Sequence, residues 1–205
     1  MKLYYAPGAC SLSPHIALRE AGLRFEAIKV DLKSKAIAPS SGGGDFRALN
    51  SKGYVPALQL DDGTLLTEGP AIVQYIADLA PAAQLAPANG TLARYQLQSW
   101  LNFITSELHK QFSPLFDAGY PEDLKARQRD KLGARFDWLS QQLEGREYLT
   151  GSTFTVADGY LFTVLNWCAW TGIDLARWPV LGAFQQRVAA RPRVRDALAA
   201  EGLAK

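Results

Sequence analysis

The sequence predicts a two-part chain: an α/β half built on a sheet of mixed strand direction, followed by an all-helical half. Three observations carry that prediction. Short β-type apolar runs alternate with helical runs up to about residue 80, a stretch rich in Pro and Ala interrupts the pattern at residues 81–88, and the periodic segments that follow have helical spacing. With 205 residues and 48% hydrophobic side chains, the chain is long enough to bury two compact cores.

The elements follow in order. Lys2 to Tyr5 is a short apolar strand, and the turn Pro7-Gly8-Ala9 delivers Cys10 to a helix running from about Ser13 to Ala21. From Arg24 to Val30 apolar and charged residues alternate, which completes a βαβ unit. Residues 33–53, with Ser40-Ser41-Gly42-Gly43-Gly44, read as a flexible excursion holding a short helix near Asp45 to Leu49. No Lys-Ser or Lys-Thr follows those glycines, so a surface loop fits them better than a phosphate cradle. Ala57-Leu58-Gln59-Leu60 and Leu65-Leu66 flank Asp61-Asp62-Gly63-Thr64, a hairpin signal, and a helix follows from Pro70 to Leu79. The order β-α-β then β-β-α describes a thioredoxin-like domain over residues 1–80, with a linker at 81–88 and an all-helical domain over 89–205.

In the helical half, Leu97, Trp100, Leu101, Ile104 and Leu108 form one apolar stripe on a helix from about Leu92 to Phe116. Asn102, Ser106 and His109 stand at i, i+4 and i+7 of the same helix as a polar ridge, which a solvated face also explains. Helices over about Pro121 to Leu143, Thr155 to Thr171 and Val180 to Ala190 complete a bundle. Thr155-Val156-Ala157-Asp158 is a capping box, with a weak staple because Phe154 faces only Gly159. The apolar run from Gly159 to Ile173 is broken by Thr163, Asn166 and Thr171 and is shorter than a bilayer span, so it reads as a buried helix with Cys168 as packing.

Composition excludes several classes. Lysine plus arginine exceed aspartate plus glutamate by only 22 to 20, without a basic run, which argues against nucleic acid. The two cysteines, Cys10 and Cys168, are too few for a disulfide framework, and Met1-Lys2-Leu3 opens into a strand instead of a secretory segment, so a reducing cytoplasmic setting and no membrane partner are expected. Cys10 at a helix start admits two readings: a thiolate favoured by free N–H groups and the helix dipole, or a small buried hydrophobe.

The strings Pro7-Gly8-Ala9-Cys10-Ser11, Gly53-Tyr54-Val55-Pro56-Ala57-Leu58, Thr67-Glu68-Gly69, Glu107-Leu108-His109-Lys110 and Phe154-Thr155-Val156-Ala157-Asp158, in this order across both halves, resemble a glutathione S-transferase of the bacterial beta class. The resemblance covers essentially the full chain and implies the two-domain fold of that family, a cytoplasmic homodimer, a detoxification role, glutathione as co-substrate and no metal. It further implies a cis Val55-Pro56 bond, where an ordinary trans proline at a strand start is the alternative. The Val55 backbone would then pair with the cysteinyl backbone of glutathione like an added strand. Glu68-Gly69 would hold the γ-glutamyl end at a helix N-terminus, with Gly69 where many relatives carry serine. Lys35 resembles the lysine that reaches the glycine carboxylate, although a loop lysine is also simply solvated.

By the same resemblance Asn102, Ser106, Glu107, Leu108 and His109 face glutathione, some of them across a subunit interface. Cys10 stands beside the sulfur, Ser11 is an available hydroxyl donor, and His109 serves as proton carrier or cation, whereas His15 within the first helix is structural. Tyr5, Phe112, Phe116 and Trp167 would wall an acceptor pocket between the two halves, with core packing as the competing account. The function so implied is thiolate attack of glutathione on small apolar electrophiles. Thiol-disulfide exchange or reductive dehalogenation through a Cys10 mixed disulfide is the second reading, by a monothiol route because Cys10-Ser11-Leu12-Ser13 lacks a second cysteine. A non-catalytic ligand carrier of the same fold is the third.

Overall fold

The structure, a computed structural model of the chain, describes residues 1–204. Four strands form one sheet in the order β2-β1-β3-β4, with β1 at Lys2–Tyr5, β2 at Glu26–Lys29, β3 at Ala57–Gln59 and β4 at Leu65–Thr67. β1 runs parallel to β2, with helix α1 (Leu12–Glu20) between them in the chain, and antiparallel to β3. β3 and β4 make the hairpin the sequence signals.

Register separates the two faces of the sheet, because successive side chains alternate. Tyr4 stands opposite Ile28 and Ala57, and these three join Ala6, Val30, Phe46 and Val55 in one buried cluster. Leu3 and Leu58, paired one position along, take the opposite face, where α1 and α2 (Gly69–Leu79) pack on each other and on the strands. Ile16, Leu18, Ile72 and Ile76 are fully buried there.

The expected flexible excursion is instead fastened to the sheet. Val30 bridges Ile37 and Ala36 bridges Asp45. Phe46, in a single 3₁₀ turn over Phe46–Ala48 inside the region read as a short helix, is fully buried against Tyr4 with ring centroids 5.4 Å apart. A glycine-rich composition conceals this anchor, whose truncation to Ala removes about 3–5 kcal/mol.

The chain divides into two compact units, Met1–Ala86 together with the segment from Arg191 onward, and Pro87–Ala190. The end of the chain therefore departs from the 89–205 assignment. Helix α9 (Pro192–Ala200) packs on α1, and Arg191 grips Glu20 through Nε (2.7 Å) and Nη2 (2.9 Å). Pairing between residues 171 positions apart leaves no periodic trace in the sequence.

The second unit comprises α3 (Leu92–Phe103), α4 (Lys110–Phe116), α5 (Glu122–Leu143), α6 (Val156–Leu165), the single turn α7 (Cys168–Thr171) and α8 (Pro179–Ala189). Every residue of α6 is buried, which makes it the central helix of this unit. Its start is the capping box: the Asp158 carboxylate accepts from the Thr155 N–H, the Thr155 hydroxyl and the Leu149 N–H, each at 2.8 Å. Phe154, poorly served by Gly159, packs edge-on against Tyr148 instead (5.7 Å).

The continuous helix expected from Leu92 to Phe116 is interrupted. Ile104–His109 is a π-helical turn between α3 and α4. The Thr105 hydroxyl donates to the Leu101 carbonyl (2.8 Å), the Ser106 hydroxyl to the Asn102 carbonyl (3.0 Å), and the Gln111 amide to the Ser106 carbonyl (3.1 Å). These side chains bond carbonyls where the α-helical ladder is broken. The helix from Thr155 to Thr171 also breaks, at Asn166-Trp167, and ends at Gly172 in the left-handed region (φ 73°).

Candidate functional site

In the first unit a chain of contacts gathers the residues singled out by sequence. Cys10, half-buried two positions before α1, donates through Sγ to the Val55 carbonyl at 3.2 Å. The Val55–Pro56 bond is cis, as the resemblance implies, and the Val55 N–H has no acceptor among the described residues. A Cβ added to Gly69 would lie 3.8 Å from Pro56 Cγ, so the start of α2 sits directly behind the proline. Glu68, the residue before it, pairs with Lys52, which also reaches the Thr67 hydroxyl (3.3 Å).

The Lys52–Glu68 pair is exposed, so solvent and salt screen it and it contributes little to stability. It ties Glu68, the residue before α2, to Lys52 in the loop that precedes Val55. At the N-terminus of α2 Pro70 has no N–H, and the Ala71 and Ile72 N–H groups bond the Glu68 carbonyl at 3.0 Å. The Gly69 N–H, at the first helical position, is the backbone donor there with no acceptor among the described residues.

Lys35 comes to the same patch. Its Cδ and Cε lie 3.5 Å from where a Gly53 Cβ would stand, and its ammonium sits 5.9 Å from the Tyr54 ring. A Cβ at Gly53 would meet Lys35 only in ordinary van der Waals contact; what favours glycine there is its φ of 64°. Lys35 (φ 64°) and Glu68 (φ 69°) both hold left-handed backbone, with Gln84 the other non-glycine residue at positive φ among the described residues. Such conformations cost about 1–3 kcal/mol each and persist where surrounding structure enforces them, often at binding sites.

Three sequence assignments take different places. The Ser11 hydroxyl is fully buried, accepts from the Ala6 N–H (3.1 Å) and donates to the Ala6 carbonyl (3.2 Å), so it closes the turn after β1 instead of presenting a donor at the surface. Tyr5 is only 9% exposed, with its ring beside His15 (5.8 Å), and burial, followed by the charge of Glu201, raises its phenol above the usual range. Leu108, which the resemblance set beside glutathione, is fully buried and belongs to the core of the helical unit, as its place in the apolar stripe of that helix indicates.

Two supports escaped sequence reading. Asn50, nearly buried, donates to the Tyr54 carbonyl (2.8 Å) and so braces the strand of chain leading to Val55. Glu201, just past α9, buries its carboxylate between the Gly8 N–H (2.9 Å) and His15 Nδ1 (2.8 Å), holding the turn that carries Cys10. His15 is structural, as expected.

In the second unit His109 closes the π-turn, with Nδ1 2.6 Å from the Tyr160 hydroxyl and its ring edge-on to Trp167 at 4.9 Å. Asn102 and Ser106 are exposed, and Glu107 is half-buried with its carboxylate on Arg135 Nε (2.7 Å). Of the expected acceptor walls, Phe112 is fully buried and Trp167 5% exposed, whereas Phe116 is 51% exposed and meets Trp167 at 5.8 Å. Packing explains Phe112; Phe116 is the accessible ring. Cys168 is buried, and burial pushes its thiol up to about 12, which makes it inert at neutral pH. Among the described residues no cluster of His, Cys, Asp and Glu could hold a metal ion, and no helix is long and apolar enough to cross a membrane.

Known proteins similar to this chain share its family across both units. Residues 8–79 match the family model for the glutathione S-transferase N-terminal domain, and residues 103–192 that for the C-terminal domain. The chain is 48% identical over 203 residues to the glutathione S-transferase GstA of Escherichia coli O157:H7, covering 99% of this chain and 100% of that one. It superposes with TM-score 0.96 on a bacterial glutathione S-transferase, BphK, solved as a ternary complex, at 60% identity over 99% of this chain and 100% of that one. A sphingomonad glutathione S-transferase complexed with glutathione gives TM-score 0.94 at 50% identity over the whole of both chains.

Proposed function

Because the chain belongs to the glutathione S-transferase family, we propose that the patch around Cys10, Val55 and Glu68 is where it binds and activates the glutathione it conjugates. The chain is a transferase acting on small hydrophobic electrophiles, with glutathione as co-substrate. The observation that carries the site assignment is the meeting of the Cys10 thiol and the Val55 carbonyl at 3.2 Å, beside Val55 and Gly69 N–H groups that have no acceptor among the described residues.

Each group has a task in this reading. The Val55 N–H pairs with the cysteinyl backbone of glutathione, and the Gly69 N–H with the α2 dipole takes the γ-glutamyl carboxylate. The Glu68 carboxylate receives the γ-glutamyl ammonium, and Lys35 the glycine carboxylate. Cys10 lies beside the sulfur and donates a weak hydrogen bond to the thiolate in place of its present bond to Val55. Asn102, Ser106, Glu107 and His109 are the groups the helical unit offers to glutathione, and Phe116 with Trp167 is the apolar surface for the acceptor. In the reaction the thiolate forms a carbon–sulfur bond to the electrophile, and the leaving group departs with the bonding pair. The protein works as a cytoplasmic homodimer in detoxification, a setting supported by the family and by two cysteines that form no disulfide.

A second activity has its own support. Cys10 is partly exposed while Cys168 is sealed, so a mixed disulfide RS–SG can pass its glutathionyl group to Cys10 with release of RSH, and a second glutathione then frees the Cys10 thiol and leaves as glutathione disulfide. A conjugation assay across aryl halides, epoxides and disulfides tests both readings. Glutathione consumption with aryl halides or epoxides supports conjugation, consumption with disulfides alone favours exchange, and consumption with none overturns the proposal.

A further inference from the structure

Between the buried ring of Phe46 and the Val55–Pro56 bond the chain turns on Asn50, which is 5% exposed. Its N–H donates to the Phe46 carbonyl (2.9 Å), and its own carbonyl accepts from the Gly53 N–H (2.8 Å). The side chain closes the rest of the loop. Its oxygen accepts from the Lys52 N–H (3.3 Å), and its amide nitrogen donates to the Tyr54 carbonyl (2.8 Å). Residues 52, 53 and 54 are thus each bonded to Asn50, and Asn50 itself to Phe46, which is buried in one cluster with Tyr4 and Val55.

The two side-chain contacts fix the residue type. A backbone N–H only donates and a backbone carbonyl only accepts, so the loop asks for an acceptor and a donor on one short side chain. A carboxamide offers both; aspartate offers two acceptors, and an apolar side chain of similar shape offers neither. The loop so closed carries the glutathione patch. Val55 follows Tyr54 directly, Lys52 pairs with Glu68, and Lys35 Cδ and Cε lie 3.5 Å from where a Gly53 Cβ would stand.

We propose that Asn50 is a positioning residue for glutathione, holding residues 52–54 so that the Val55 N–H and the Lys52–Glu68 pair stand where the tripeptide meets them. The inference rests on the assignment of glutathione to the patch around Cys10, Val55 and Glu68, and deepens it. It carries a kinetic signature. Bonds to the peptide backbone of glutathione are as strong in the resting complex as in the transition state, because only the sulfur reacts. Weakening them raises KM and leaves kcat in place.

The test is Asn50→Asp in the full-length protein, which keeps the shape and the acceptor for Lys52 but turns an oxygen toward the Tyr54 carbonyl. The expected result is roughly tenfold weaker binding of reduced glutathione by calorimetry, the equivalent of one hydrogen bond, with a matching rise in KM and kcat for an aryl halide within about twofold of wild type. An unchanged Kd beside a lowered Tm makes Asn50 merely structural and overturns the proposal, as does a fall in kcat at unchanged KM. A wild-type measurement serves where the variant does not fold. Saturating glutathione should slow amide exchange at Lys52 and Gly53 by at least about fivefold, since binding and loop closure favour each other reciprocally. Unaffected exchange there overturns the proposal, and weaker binding by Glu68→Gln then tells that the site itself stands. No heat from wild-type protein at millimolar glutathione removes the site reading and the inference with it.

Discussion

Truncating Glu201 to Ala asks whether the end of the chain holds the turn that carries Cys10. The Glu201 carboxylate is wholly buried and uses both oxygens, one on the Gly8 N–H (2.9 Å) and one on His15 Nδ1 (2.8 Å). Removing this buried carboxylate strips two buried groups, the Gly8 N–H and the His15 ring, of their partner, at about 1–3 kcal/mol each and so about 3–5 kcal/mol together. For a chain of this length that corresponds to a drop of roughly 6–20 °C in Tm. Glu201→Gln keeps a carbonyl acceptor and a similar shape, so it should retain more than half of the lost stability. Urea unfolding gives the global figure, and amide exchange at Gly8 gives the local one, expected to quicken at least about tenfold in Glu201→Ala. A loss below about 1 kcal/mol, with Gly8 exchange unchanged, would refute the idea that this contact fixes the turn.

Two further predictions follow from charge and burial. Burial pushes the Asp158 carboxyl up from 3.8 to about 6 against the opposing bonds from Leu149 and Thr155, so the neutral form favours folding below pH 4 and that contribution is lost as pH rises through 6. At 1.36 kcal/mol per pH unit the loss is about 3 kcal/mol; urea unfolding should show it for the wild type and not for Asp158→Asn, and equal slopes would refute it. Under mild oxidation with glutathione disulfide, mass spectrometry should find one adduct, on Cys10, with Cys168 unmodified because its thiol is held up to about 12; an adduct on Cys168 alone would reverse the assignment.

Most of the first unit was legible because its elements are short and its signals local. A short apolar run marked β1, alternation marked β2, Asp61-Asp62-Gly63-Thr64 marked the hairpin, and the resemblance carried by Val55-Pro56 marked its cis bond. The capping box was legible for the same reason. What escaped depends on distance or on a change of helical period. The apolar stripe of Leu101, Ile104 and Leu108 continues through the π-turn, so periodicity reported one helix. The roles of Asn50, Tyr160 and Glu201 lie in partners 4, 51 and 186 positions away, and single-residue properties such as the Ser11 hydroxyl or the Tyr5 ring do not reveal that tertiary contacts already occupy them. Phe46 shows the same limit inside a loop: composition predicts mobility where one buried ring prevents it.

The most direct test of the central claim is calorimetric titration of the full chain with reduced glutathione, run beside Glu68→Gln. Glu68 is exposed and, among the described residues, pairs only with the exposed Lys52, so removing the charge should leave the fold intact and weaken glutathione by roughly tenfold, one charge-assisted hydrogen bond. The account predicts a saturable heat for the wild type at one glutathione per chain and that weakening in the variant. An absence of heat and of any thermal shift at millimolar glutathione, or equal affinity in the two proteins, would contradict it.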